Sequence, residues 1–152
     1  MELKSIPLFV LDAQVDAPQF NAATPAGGRR ILIVRGGTFA GARLNGVILP
    51  AGGADWALTR NDGSLLLDVR LTLETDDGER IFMSYRGVRH GPSAVIDRLA
   101  RGETVDPAEY YFRMTPWFET GAARYAWLNN VIAVGVGERL ATGPRYNIYE
   151  IL

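Results

Sequence analysis

Residues 61–88, NDGSLLLDVRLTLETDDGERIFMSYRGV, decide the fold class. From Leu65 to Glu74 the side chains alternate strictly. Leu65, Leu67, Val69, Leu71 and Leu73 share one face of an extended chain, and Leu66, Asp68, Arg70, Thr72 and Glu74 share the other. A period of two residues belongs to a β-strand, because successive strand side chains point to opposite faces. Asn61-Asp62-Gly63 precedes this run and Asp76-Asp77-Gly78 follows it. An Asp-Gly pair predicts a tight type I′ turn, in which φ is positive. A second strand then runs from Arg80 to Val88, so the stretch reads as an antiparallel hairpin.

The same signals extend outward. Further strands are predicted over Leu3 to Ala13, Arg30 to Arg35, Thr38 to Leu49, Asp55 to Arg60, Tyr110 to Thr115, Tyr125 to Glu138 and Arg145 to Leu152. Gly27-Gly28, Gly36-Gly37, Gly52-Gly53, Pro116 and Gly143-Pro144 separate them as turn residues. One short helix is expected from Ser93 to Arg101, capped by Ser93, striped by Val95, Ile96 and Leu99, and ended by Gly102. Many short strands at such spacing predict an all-β sandwich or barrel. No linker or internal repeat divides the chain, so residues 1–152 are read as a single domain.

Composition removes several chemistries. The chain has no Cys, which excludes thiolate nucleophiles and zinc–sulfur sites. His90 is the only His, so a multi-His metal site is excluded, and no metal or other cofactor is expected. Of the 16 basic residues only Lys4 is a lysine, and it lies near the N-terminus, far from a Schiff-base role. A net charge of −1 argues against nucleic-acid and anionic-membrane partners. No apolar run approaches a membrane span, and the short Ile6–Leu11 run, interrupted by Pro7, is no export signal; a cytoplasmic protein is expected. G-x-S-x-G, phosphate-loop and dinucleotide fingerprints are absent.

Several motifs occur in a fixed order: Gly36-Gly37-Thr38-Phe39-Ala40-Gly41, Gly52-Gly53-Ala54-Asp55-Trp56, Leu67-Asp68-Val69-Arg70 and Asp77-Gly78. Tyr111-Phe112-Arg113, Phe118-Glu119-Thr120-Gly121 and Tyr125-Ala126-Trp127-Leu128-Asn129 complete the series. This ordered set resembles the family known as domain of unknown function 3237, or uncharacterised protein family 0311, over roughly Leu8 to Tyr149. The resemblance implies an antiparallel β-barrel with an internal pocket. It implies no settled activity.

The candidate site residues each carry two readings. Asp68 and Arg70 share a strand face that either meets solvent or lines a polar lumen; the resemblance to the family's Asp-x-Arg motif favours the lumen. Asp55 is either a turn residue beside a core Trp56, or a carboxylate at a pocket mouth with Trp56 as its wall. Glu119, flanked by aromatics, is either a surface residue or a partly buried general acid, and Arg113 either pairs with such a carboxylate or makes a structural ion pair. Trp127 and Asn129, on one face of the predicted Tyr125 strand, are core residues or a ligand platform. Tyr85 is a phenolic donor or a packing residue. His90 falls in a loop and has no assigned role.

Two functions fit this set. A cofactor-independent enzyme would use Asp55, Asp68 or Glu119 to move a proton and Arg70 or Arg113 to stabilise an oxyanion, in an isomerisation, elimination or cyclisation of a small organic molecule. A binding or carrier barrel would use Trp56, Tyr85, Trp127 and Asn129 without reaction. The apolar strand faces additionally predict a homo-oligomer.

Overall fold

The Leu65–Glu74 alternation folds as read. In a computed structural model that describes residues 2–152, β6 (Leu65–Thr75) pairs antiparallel with β7 (Arg80–His90), from Leu65↔Arg89 to Glu74↔Arg80 without a break. Leu65, Leu67, Val69, Leu71 and Leu73 are all buried. They fill the interior of the molecule rather than a surface for a neighbouring subunit.

The turns differ from the type I′ expectation. Gly63 and Gly78 have φ of +82° and +85°, and Ala51 is the only non-glycine residue with positive φ among those described. Asp62 and Asp77 therefore stay right-handed, and each glycine takes the left-handed place after the turn, where the Arg60 and Thr75 carbonyls accept from Gly63 and Gly78 N–H. The aspartates serve as acceptors instead: Asp62 Oδ1 receives the Ser64 N–H at 2.9 Å, and Asp77 Oδ1 receives the Thr75 hydroxyl at 2.6 Å.

Eight further strands complete the sheet: β1 (Ser5–Val15), β2 (Phe20–Thr24), β3 (Gly27–Ala40), β4 (Asn45–Ile48), β5 (Ala54–Thr59), β8 (Tyr111–Glu119), β9 (Ile132–Arg139) and β10 (Pro144–Ile151). Neighbours run β1-β10-β9-β8-β7-β6, then a place shared by β4 and β5, then β3, which pairs back with β1. β2 continues the line of β1 along the first half of β3. The ten segments thus form the eight staves of a closed antiparallel barrel. Closure removes the open edges that a sheet of this size would otherwise expose.

Three expected boundaries move, each for a local reason. β3 runs through Gly36-Gly37 instead of turning there. A Cβ on Gly37 would sit 2.0 Å from the Asp12 carbonyl oxygen, so glycine lets β1 and β3 pass closely at the last β3–β4 pair, before β3 takes β5 as its partner. The turn falls later, at Gly41–Leu44, splitting the predicted Thr38–Leu49 strand, with Gly41 N–H bonded to the Leu44 carbonyl. β8 continues past Pro116, because its ladder to β9 consists only of Arg113↔Val136 and Met114↔Gly135, and the missing proline N–H leaves no β9 bond unmade.

The stretch predicted to begin a strand at Tyr125 is instead a 3₁₀ helix, Ala123–Asn130. Its buried side chains, Tyr125 and Leu128, are three residues apart, the spacing that stacks side chains on a 3₁₀ turn. The Tyr125 hydroxyl donates to Asp77 at 2.8 Å, tying this turn to the β6–β7 hairpin. The predicted helix is α1 (Ser93–Ala100), and a second short 3₁₀ turn covers Pro107–Glu109. Ser93 does not cap α1. Pro92 occupies that position and its carbonyl accepts from Val95 and Ile96 N–H. Gly102, at φ +79°, ends the helix as read.

One end of the barrel is filled with hydrocarbon. Phe9 meets Phe39 and Phe118 at ring-centre distances of 5.5 and 5.8 Å, beside the fully buried Leu71, Leu73, Ile81 and Met83. The opposite end, under α1, is hollow.

Candidate functional site

The inward positions of three strands change character toward the hollow end. On β7 they read Ile81, Met83, Tyr85 and then Arg89. On β9, Ala133, Gly135 and Gly137 lead to Arg139, and on β3, Val34 and Leu32 lead back to Arg30. These ends enclose a cavity of about 460 Å³. Its apolar wall comes from Leu65, Leu67, Phe112 and, from α1, Ile96 and Leu99. Exposed Asn21, Gly63 and Ala100 also line it, so the cavity opens to solvent at that rim.

Glycine makes the tyrosine wall possible. A Cβ on Gly137 would lie 2.6 Å from the Phe112 ring and 2.9 Å from the Tyr146 ring. With only hydrogen there, both rings can approach β9 closely. Tyr146 then meets Phe112 at 5.2 Å and Tyr85 at 5.5 Å, both edge to face.

Asp55 is the only carboxylate among the described residues of the lining. It sits opposite Val69 on the inward face of β5, and its Oδ1 accepts the Asp68 backbone N–H at 3.2 Å. Burial pushes its pKa up to about 6, against the lowering effects of that N–H and of Arg30 and Arg89. Three guanidiniums share the cavity: Arg30, Arg89 and Arg139. Desolvation, then the charge of the neighbouring arginines, lowers the pKa of Arg89; desolvation does the same for Arg139. Burial, and then nearby negative charge, raises the Tyr85 and Tyr146 phenols, which therefore stay protonated as hydrogen-bond donors. The Arg89 Nε is buried without a hydrogen-bond partner. Among the described residues no group of three or more His, Cys, Asp or Glu side chains converges as a metal site. No helix among them is long and apolar enough to cross a membrane.

Of the residues singled out in the sequence, Asp55 and Tyr85 meet in this cavity. The expectation that Asp68 and Arg70 also line a lumen is corrected. They belong to the outer face of β6, where they pair at 3.1 Å with side chains 37% and 46% exposed. The aliphatic face wins the interior because it buries five apolar side chains, whereas two charges inside would need matching partners. Trp56 points outward too, with the Arg70 guanidinium 5.1 Å from its ring centre. Arg113 lies on the outer wall, 4.8 Å from the Tyr111 ring, and Glu119 is exposed at the end of β8. Trp127 packs against the edge of the core under Arg43, at 3.9 Å. Asn129 brackets Thr120, accepting its N–H at 2.8 Å and donating to its carbonyl at 3.0 Å. The last two lost their shared strand face when the segment became a 3₁₀ helix.

Arg30, Arg89, Arg139 and Tyr146 were not singled out by sequence. Arg89 and Arg139 sit at strand ends, one residue beyond the predicted Val88 and Glu138 limits, and Arg30 is the fourth residue of β3. Parity carried the available signal, since Arg89 follows Tyr85 at an even spacing on the same strand face.

A family model described as "Protein of unknown function (DUF3237)" matches residues 3–151. The UPF0311 protein RPA1785 of Rhodopseudomonas palustris is 34% identical over 95% of this chain and 94% of its own length. Its crystal structure superposes with a TM-score of 0.93 over 100% of this chain and 99% of that one. A structure from Acinetobacter baumannii, described as a beta-barrel like protein, is 39% identical, covers 100% and 98% of the two chains, and has a TM-score of 0.85. An enzyme from Penicillium herquei, 19% identical, shares the fold with a TM-score of 0.74 over 100% of this chain and 96% of that one. The chain belongs to the DUF3237 family.

Proposed function

We propose that this DUF3237 barrel is a cofactor-independent enzyme that moves a proton on a small organic molecule held in the cavity, with Asp55 as the acid–base group. The supporting observation is the company Asp55 keeps. A carboxylate whose pKa burial raises to about 6 shares one chamber with three guanidiniums and two protonated phenols. A pKa near 6 leaves Asp55 mostly ionised at neutral pH and makes it a stronger base than an ordinary carboxylate.

In this scheme the Asp55 carboxylate takes a proton from a carbon beside a carbonyl group. The C–H electron pair moves onto the carbonyl oxygen, giving an enolate. Arg30, Arg89 and Arg139 supply fixed positive charge and Tyr85, whose oxygen receives the Tyr146 hydroxyl, supplies an O–H donor, so the oxyanion forms without rearranging water. Protonated Asp55 then returns the proton to a different carbon in an isomerisation, or to a leaving group in an elimination. A cyclisation follows the same bookkeeping when the enolate attacks a second electrophilic carbon and the adduct takes the proton from Asp55. The Asp68 backbone N–H orients the carboxylate throughout.

The test begins with native mass spectrometry of the purified protein to identify a bound small molecule. That compound is then incubated with wild type and with Asp55→Asn. Turnover is expected to fall by roughly 10²–10⁴-fold in the variant, the usual contribution of a positioned acid–base group. In wild type the rate is expected to rise with pH through about 6, as Asp55 ionises. A compound recovered unchanged from both proteins is the carrier outcome and overturns the enzyme reading.

A further inference from the structure

The cavity is over-supplied with positive charge for proton transfer alone. Three guanidiniums face one carboxylate, so two cations lack a counter-charge within the lining even when Asp55 is ionised. One of the three is also incomplete in its hydrogen bonding. The Arg89 Nε is buried and has no partner, whereas Arg139 donates through Nη1 to the Leu140 carbonyl. Arg89 lies opposite Leu65 on β6 and Phe112 on β8, and its guanidinium carbon is 5.8 Å from the Phe112 ring centre. The ring occupies one face of the guanidinium. Nε is sealed inside, whereas the two terminal Nη groups make no hydrogen bond to the described residues and are not sealed off, so they are the part left for an acceptor.

A guanidinium edge offers two parallel N–H donors, spaced to meet two oxygens on one planar centre. A carboxylate satisfies both and removes one unit of surplus charge. An amide or ketone supplies one oxygen and no charge, leaving a donor unpaired. Apart from Asn21, Thr59 and the charged groups, the chamber is lined by the Tyr85, Phe112 and Tyr146 rings and by aliphatic side chains, surroundings that suit a flat apolar body rather than a polyol.

We infer that the cavity takes a carboxylate attached to a flat, largely apolar ring, with the carboxylate gripped by the paired Nη groups of Arg89 and the ring laid against Tyr85, Phe112 and Tyr146. This rests on the reading of the cavity as the ligand site but not on catalysis occurring there. Arg89 is then the specificity-determining residue. Arg30, whose charge acts on Asp55, remains for the charge that develops at the reacting end.

Calorimetric titration with benzoate and with benzamide, its neutral isostere, tests the inference on the whole protein. Wild type is expected to bind benzoate at least about 10-fold more tightly than benzamide, because a hydrogen bond to a charged group is lost in the amide. Arg89→Met and Arg89→Lys are expected to weaken benzoate on the order of 10- to 100-fold and to leave benzamide affinity unchanged. Arg86→Gln removes the same charge from the outer face of β7 and is expected to change neither. Benzamide binding as tightly as benzoate, no benzoate binding up to millimolar concentration, or full benzoate affinity in both Arg89 variants overturns the inference. The wild-type comparison stands even where an Arg89 variant does not fold. Asp55→Asn separates the two proposals. It is expected to bind benzoate as well as wild type or better, having lost a like charge, while turnover of the native compound collapses. Benzoate selectivity in a protein without turnover keeps the carboxylate site and discards the enzyme.

Discussion

Leu67 and Leu73 lie on the same face of the same strand, three turns of alternation apart, and serve opposite ends of the barrel. Leu73 is fully buried near Ile81 and Met83, at the end where Phe9, Phe39 and Phe118 pack ring against ring. Leu67 forms part of the wall of a 460 Å³ cavity with Asp55 and three arginines. The strand pattern is blind to this difference, since both are leucines pointing inward. What separates them is what the other strands send to the same level: rings and methyls at one end, guanidiniums and phenols at the other. The filled end supplies stability. The hollow end holds charges that folding alone would not select, because each desolvated guanidinium costs free energy without a partner.

Large-to-small changes in these two leucines break the comparison most directly. Leu73→Ala is expected to cost about 3–5 kcal/mol, since a tightly packed site cannot collapse around the new void. Leu67→Ala is expected to cost nearer 2 kcal/mol, because the side chain already borders open space and its removal enlarges a cavity instead of creating one. Urea denaturation of both variants measures the difference. Equal losses would mean that the hollow end closes in solution and is packed like the filled one.

The carboxylate sharpens the contrast from the other side. Asp55 has its pKa raised from 3.8 to about 6 by burial. Below pH 3.8 it is protonated whether the chain is folded or not. Between pH 3.8 and 6 the unfolded chain releases the proton and the folded chain holds it, so rising pH favours unfolding. Above pH 6 both states are ionised and the full penalty, roughly 3 kcal/mol at 1.36 kcal/mol per unit, is present. Asp55→Asn removes the penalty and retains the acceptor for the Asp68 N–H. The variant is expected to gain up to that amount over wild type at pH 8 and nothing at pH 3.5, read from urea midpoints at the two pH values. A gain that is the same at both would show that Asp55 is not desolvated. Stability rising as activity falls is the expected signature of a polar group kept for function.

How much of this was legible follows from the same contrast. The filled end is written as alternation: five aliphatic residues between two Gly-marked turns fix β6, β7 and the inward face. The ordered motif series then named the barrel. The hollow end is written in residues that look like surface. Arg30, Arg89 and Arg139 are charged, lie toward the ends of their strands, and differ from exposed arginines only in which way they face. That direction depends on strand parity carried past the predicted boundaries, and on a closure that brings β3, β7 and β9 around one chamber. Asp55 was found because a turn, a tryptophan and a carboxylate coincided. Asp68 and Arg70 were misplaced because a polar alternate face is equally compatible with a lumen and with solvent. Their resemblance to a family motif says nothing about direction. Trp127 and Asn129 were placed on a strand because Tyr125 to Glu138 holds enough β-formers to hide the three-residue spacing of Tyr125 and Leu128.

The outer Asp68–Arg70 pair provides the smallest effect and the control for the rest. The charges are 3.1 Å apart, and Arg70 also faces the Trp56 ring, but both side chains are more than a third exposed. Solvent and salt screen such a pair, and double-mutant cycles on exposed pairs return about 0–1 kcal/mol. Asp68→Asn and Arg70→Gln are each expected to shift stability by less than about 1 kcal/mol, with a coupling energy inside the same range that shrinks in high salt. Neither side chain lines the cavity, the Asp68 backbone N–H that holds Asp55 survives both, and Asp68→Asn removes only a minor raising charge from Asp55. Turnover and benzoate affinity are therefore expected to stay at wild-type levels in both variants. A large loss of either in Asp68→Asn would place that carboxylate inside the chamber and dissolve the distinction between a wall and its outer surface on which the site assignment depends.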